Sequence, residues 1–134
     1  MSQVIIYANN GGVAVCYPTG ELPIEQVLVK DCPAGAVIVN VSVLPQDDMD
    51  FFNAWEMQSD NTVAVSITKA RDITKERLRA ERKPLLEAQD VLFQRALETG
   101  ASTAAIVAEK QRLRDITSLA DGVSTLAELR ALHC

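Results

Sequence analysis

The rhythm of apolar and polar positions changes once along this chain, near residue 67. Upstream, the apolar runs are short and are broken by Asn, Gly and Pro. Val4-Ile5-Ile6-Tyr7 and Val13-Ala14-Val15-Cys16-Tyr17 flank Asn9-Asn10-Gly11-Gly12. Two β-rich runs about residues that tolerate positive φ predict a β-hairpin, ended by Pro18-Thr19-Gly20. Residues 22–32 predict a short helix. Pro23 suits a first turn, and Ile24, Val27 and Leu28 share a face at i, i+3, i+4 before Pro33-Ala34-Gly35 stops the run. Residues 37–43 alternate Val or Ile with small or polar residues and predict a third strand. Pro45 to Asp48 is a loop, and Asp60-Asn61 turns into a fourth strand over 62–67.

Downstream the period becomes helical. Residues 68–99 are rich in Ala, Leu, Glu, Lys, Arg and Gln, all strong helix formers. Leu78, Leu85 and Leu92 repeat at seven, widened by Ala70, Ile73, Ala88, Phe93, Ala96 and Leu97. Pro84 predicts a kink or break close to Arg82-Lys83, because it removes a hydrogen bond and crowds the preceding turn. Gly100 marks the stop. Ser102 or Thr103 caps a second helix running to about Thr117, with Ile106, Leu113 and Ile116 along one side. A Gly turn between two amphipathic helices predicts an antiparallel hairpin, in which the Leu78/Leu85/Leu92 stripe is buried against residues 103–117. On that expectation Leu85→Ala costs about 2–5 kcal/mol. After the turn at Asp121-Gly122, Thr125-Leu126-Ala127-Glu128 is a capping-box pattern opening a last helix.

The expected fold class is therefore α+β. A small N-terminal antiparallel β-sheet with one short helix occupies residues 1–67, and a C-terminal helical hairpin plus a short terminal helix occupies residues 68–134. At 134 residues the chain is one domain or two small subdomains. Aromatics are only 4% of it, so Leu, Ile, Val and Ala must supply most of the core.

Charge changes the picture more than composition does. Residues 1–67 hold one cation, Lys30, and eight acids, a net −7; residues 68–134 hold twelve cations and ten acids, a net +2. Such asymmetry suits an acidic or basic partner, or head-to-tail contact between copies. The densest basic run, Lys69, Arg71, Lys75, Arg77, Arg79, Arg82 and Lys83, is interleaved with Asp72, Glu76 and Glu81. Arg71, Lys75, Arg82 and Lys83 can cluster on one helical face, while Arg77 and Arg79 point apart. No aromatic lies within residues 68–92 to stack on a base. Nucleic-acid binding is thus the weaker reading, and a solvated or protein-contacting face is favoured.

Candidate chemistry is sparse. Cys16, Cys32 and Cys134 are an odd, scattered set that reads as free thiols in a reducing compartment. They do not supply the four ligands of a zinc site. Gly11-Gly12 lacks the Lys-Ser/Thr of a phosphate loop. Asp47, Asp48 and Asp50 lack the Gly and closing Glu of an EF-hand. His133, the one histidine, and Cys134 read as tail residues where chains fray. No catalytic residue, cofactor or metal is expected, nor a signal peptide or membrane span. Phe51, Phe52 and Trp55 concentrate three of six aromatics. They are either rings plugging a small sheet or part of a contact patch.

Three blocks in order carry a resemblance. They are Asn53-Ala54-Trp55, then Arg79-Ala80-Glu81-Arg82-Lys83-Pro84-Leu85-Leu86 leading to Asp90, then Lys110-Gln111-Arg112-Leu113-Arg114-Asp115-Ile116-Thr117. This order resembles the small tail-assembly or tail-fibre-associated proteins of tailed bacteriophages; Val91 stands where one branch carries Trp after the Asp. The resemblance implies a non-enzymatic, chaperone-like protein. It would bind a tail or tail-fibre protein in the host cytoplasm during assembly, or remain as a structural virion component of the tail or baseplate, with homo-oligomerisation open. Partner-binding candidates are Phe51, Phe52, Trp55, Arg71, Lys75, Arg79, Arg82 and Lys83.

Overall fold

A computed structural model describes residues 2–134, in two compact units, one ending at Ala70 and the other spanning Arg71–Cys134. The first unit opens with β1 (Gln3–Asn9) and β2 (Gly12–Cys16), joined by a two-residue turn. Asn10 at φ 52° and Gly11 at φ 80° take the left-handed conformation that a tight hairpin turn demands. α1 (Ile24–Asp31) follows, with Pro23 as its cap, its carbonyl accepting from the amides of Gln26 and Val27. β3 (Val37–Asn40) returns antiparallel to β1, giving the order β2-β1-β3.

β3 is shorter than the expected run to residue 43. The Asn40 side chain accepts the Ser42 amide at 2.9 Å and turns Val41–Val43 into a 3-10 turn. A short polar side chain here competes with the ladder for a backbone amide. A second 3-10 segment, Gln46–Ala54, leads into β4 (Trp55–Met57), which pairs antiparallel with β5 (Val63–Val65). β4 was not expected. Three residues are too few to display a period, and the strand exists through its pairing with β5.

Alternation sorts the larger sheet's faces. Val4, Ile6 and Val13 on one face form a core with Leu44, Trp55 and Val63. Ile5 points to the opposite face and is fully buried where α1 packs on β1 and β3.

α2 (Ile67–Thr99) is capped by Ser66, whose hydroxyl accepts the Lys69 amide at 3.3 Å. It runs through Pro84 without the expected break. Ala80, whose carbonyl loses its amide partner to the proline, is exposed, so water can serve it. The helix ends where Gly100 turns to φ 69°, with Gly100 N–H bonded to Leu97 O and Ala101 N–H to Ala96 O. That is the paired-bond C-terminal motif for which glycine is suited.

α3 (Ala104–Asp115), a 3-10 segment Ile116–Gly122 and α4 (Leu126–Ala131) complete the second unit. Thr125 caps α4 as expected: its hydroxyl accepts the Glu128 amide and meets the Glu128 carboxylate at 2.9 Å. The fold is thus an N-terminal antiparallel β region with a short helix, followed by a helical region. Among the described residues no helix is long and apolar enough to cross a membrane.

Candidate functional site

The two aromatic candidates with the largest burial lie inside the first unit. Trp55 is fully buried, its indole N–H donating to the Asp48 carbonyl at 3.2 Å, and Phe51 is buried with it. Phe52 is half-buried, its ring 4.8 Å from that of Trp55. The turn geometry of Gln46–Ala54 aims these rings inward, where they supply bulk to a sheet otherwise built of Val and Ile.

The basic candidates lie along α2, and most of them meet groups within their own unit. Arg71 Nε donates to the Val123 carbonyl at 3.0 Å, and Lys75 pairs with Asp121 at 2.6 Å. Arg77 donates to the carbonyls of Leu129 and Leu132 at 3.0 and 2.7 Å, and Arg82 to that of Arg114 at 2.9 Å. These carbonyls sit at or just beyond the ends of α4 and α3. Helix C-termini leave unsatisfied acceptors and carry partial negative charge, so a guanidinium there is favourable twice over. Arg79 pairs with Glu76 one turn back, and Lys83 is exposed. The structure therefore does not gather Arg71, Lys75, Arg79, Arg82 and Lys83 into one open cationic face. Arg71, Lys75 and Arg82 fasten the elements that follow α2.

The same fastening corrects the reading of the last residues as a frayed tail. Glu81 accepts from the Cys134 amide at 3.3 Å and meets His133 Nδ1 at 3.2 Å, while the Cys134 thiol donates to the Leu78 carbonyl. Partial burial works to raise the Glu81 pKa, but the hydrogen bonds from Arg77, the Cys134 amide and His133 outweigh it, and the carboxyl lies below its ordinary value. Burial, and next the Glu81 charge, push the Cys134 thiol up. The spacing of Arg77 and Glu81 was visible as an i,i+4 pair; their shared hold on residues 129–134 was not.

The Leu stripe divides. Leu78 is fully buried, but Leu85 is 41% exposed and Leu92 45%. The expectation that all three are buried against residues 103–117 is corrected. The covered side of α2 lies beside this stripe and not along it. Arg82, Leu86, Gln89, Phe93 and Ala96, at spacings of three and four, are the half-buried or buried positions instead. On that side Lys110 reaches Asp90 at 2.5 Å and lies 5.3 Å from the centre of the Phe93 ring. With the Arg82–Arg114 bond, these contacts set α2 and α3 antiparallel. Val91, Leu92 and Leu97 on α2 and Val107 on α3 remain exposed.

The site that emerges is an exposed apolar helical surface around Leu85 and Leu92, with Ala88 between them along the helix. Sequence reasoning had assigned these leucines to the core and so missed their exposure. Among the described residues no group of three or more His, Cys, Asp or Glu is placed to hold a metal ion. No family model, curated protein or solved structure matches this chain.

Proposed function

We propose that this chain is a non-enzymatic assembly protein of tailed bacteriophages that binds a tail or tail-fibre protein through the exposed apolar surface of α2. The observation that carries the reading is the outward placement of Leu85 and Leu92 on a helix whose neighbouring face already packs on α3. Leucines left in water at helical spacing suit a partner's groove or helix. Support also comes from the ordered sequence blocks that resemble the phage proteins. Two of them meet in the helical unit, Arg82 at Arg114 and Asp90 at Lys110.

The test is co-expression with a tail or fibre protein. A complex is expected on size exclusion, and a Leu85→Asp, Leu92→Asp variant is expected to keep its helical content and lose the complex. If the unaltered chain forms no complex and leaves the solubility of the fibre protein unchanged, the assembly reading fails.

The charge polarity between halves, −7 against +2, favours one second reading: a virion subunit repeated around the tail or baseplate. Mass spectrometry of purified particles separates the two, since a subunit is present in fixed stoichiometry and a transient factor is absent.

A further inference from the structure

On the α1 side of the three-stranded sheet, Ile5 is flanked in register by Cys16 on β2 and Ile38 on β3. α1 ends at Asp31, and Cys32 is its extended C-cap. Cys32 thus follows Asp31 directly, on the side of the sheet that Cys16 faces, and the Cys16 thiol is among the groups that push the Cys32 thiol up. Cys16 also lines a depression of about 230 Å³ together with Val27, Lys30 and Asp31 of the same helix, so strand and helix end meet at one solvent-reached point. Both cysteines are half-buried, and neither is in a disulfide.

We propose that Cys16 and Cys32 form an oxidation-sensitive pair that closes to a disulfide through exchange with a low-molecular-weight disulfide, joining the end of α1 to β2. Cys16 loses its proton to solvent, and its thiolate attacks one sulfur of the small disulfide. The oxidant's S–S bond breaks, and one small thiol leaves with a proton. Cys32, deprotonated in turn, attacks the Cys16 sulfur; the mixed disulfide breaks and the second small thiol leaves. Two protein thiols are oxidised and one small disulfide is reduced to two thiols.

The order follows from the surroundings. Burial, and then the neighbouring Cys16 and Asp31, push the Cys32 thiol up, which makes it the slower nucleophile. Cys16 borders the depression through which the oxidant arrives. Cys32 is the residue after Asp31, which lines the same depression as Cys16, so the second step is intramolecular and outruns capture of another small thiol.

The experiment treats the full chain with oxidised glutathione. Thiols titrated after unfolding are expected to fall from three to one, the mass to fall by two hydrogens, and peptide mapping to join Cys16 to Cys32. Tm is expected to rise, because the link restricts the unfolded chain, and dithiothreitol is expected to reverse both changes. In Cys32→Ser the reaction is expected to stop at a glutathione adduct on Cys16. The proposal is overturned if Cys16 stays unmodified in folded Cys32→Ser, if the unaltered chain holds a lasting adduct with Cys32 still alkylatable, or if oxidation links only Cys134 between copies.

Discussion

The ammonium of Lys110 sits 2.5 Å from the Asp90 carboxylate, joining the middle of α2 to the middle of α3. The lysine is the better covered partner, with its side chain 17% exposed against 61% for Asp90. Asp90 therefore gives up little when replaced, while Lys110 also loses its stem packing and its approach to Phe93. Asp90→Asn is expected to cost at most about 0.5–1 kcal/mol, less at high salt, and Lys110→Ala more. A double-mutant cycle by urea unfolding checks both.

Leu78 and Leu85 are expected to respond differently although one heptad separates them. Leu78→Ala removes a fully buried side chain and should cost about 2–5 kcal/mol. Leu85→Ala, at a site 41% exposed, should cost less than about 1 kcal/mol, reversing the expectation from periodicity. Thermal and urea unfolding of the two variants decide it. Equal losses would mean that Leu85 is covered, and the proposed docking surface would be lost with it.

Glu81 sets a pH dependence. Its folded pKa is depressed below the ordinary value of 4.5, so its stabilisation is fully present above that value and is lost as pH falls through the folded pKa. The stability difference between the unaltered chain and Glu81→Gln is expected to be positive at neutral pH and to shrink below about 4.5. Urea unfolding over an acid series measures it. A difference that grew on acidification would contradict the hydrogen bonds from Arg77 and the Cys134 amide.

Arg77 reaches two carbonyls through Nη2 and the Glu81 carboxylate through Nη1, a planar fork that a single ammonium nitrogen cannot copy. Arg77→Lys is expected to cost about 1–3 kcal/mol and to free residues 132–134. The release is read independently as faster alkylation of Cys134 in the folded protein.

Pro84 lies inside a continuous helix at an exposed position. Pro84→Ala restores an amide for the Ala80 carbonyl and removes ring crowding. It is expected to raise stability by up to about 3 kcal/mol. A loss of stability would show that the proline holds a bend on which the second unit depends.

The elements of this protein were legible in its sequence where local chemistry decides them. Asn10-Gly11 dictated a tight hairpin because only such residues accept consecutive positive φ. Gly100 and Thr125 dictated a helix stop and a helix start for reasons contained within a few residues. Tertiary structure decided what local pattern leaves open. β4 exists through its pairing with β5, and α2 continues through Pro84 where the bereft carbonyl faces water. Leu85 and Leu92 look outward because α3 packs over the neighbouring stripe of Arg82, Leu86, Gln89 and Phe93. The basic run looked like a surface for another molecule. Three of its arginines, Arg71, Arg77 and Arg82, instead bond carbonyls about 30 to 55 residues further along, a distance that no window of sequence pattern spans.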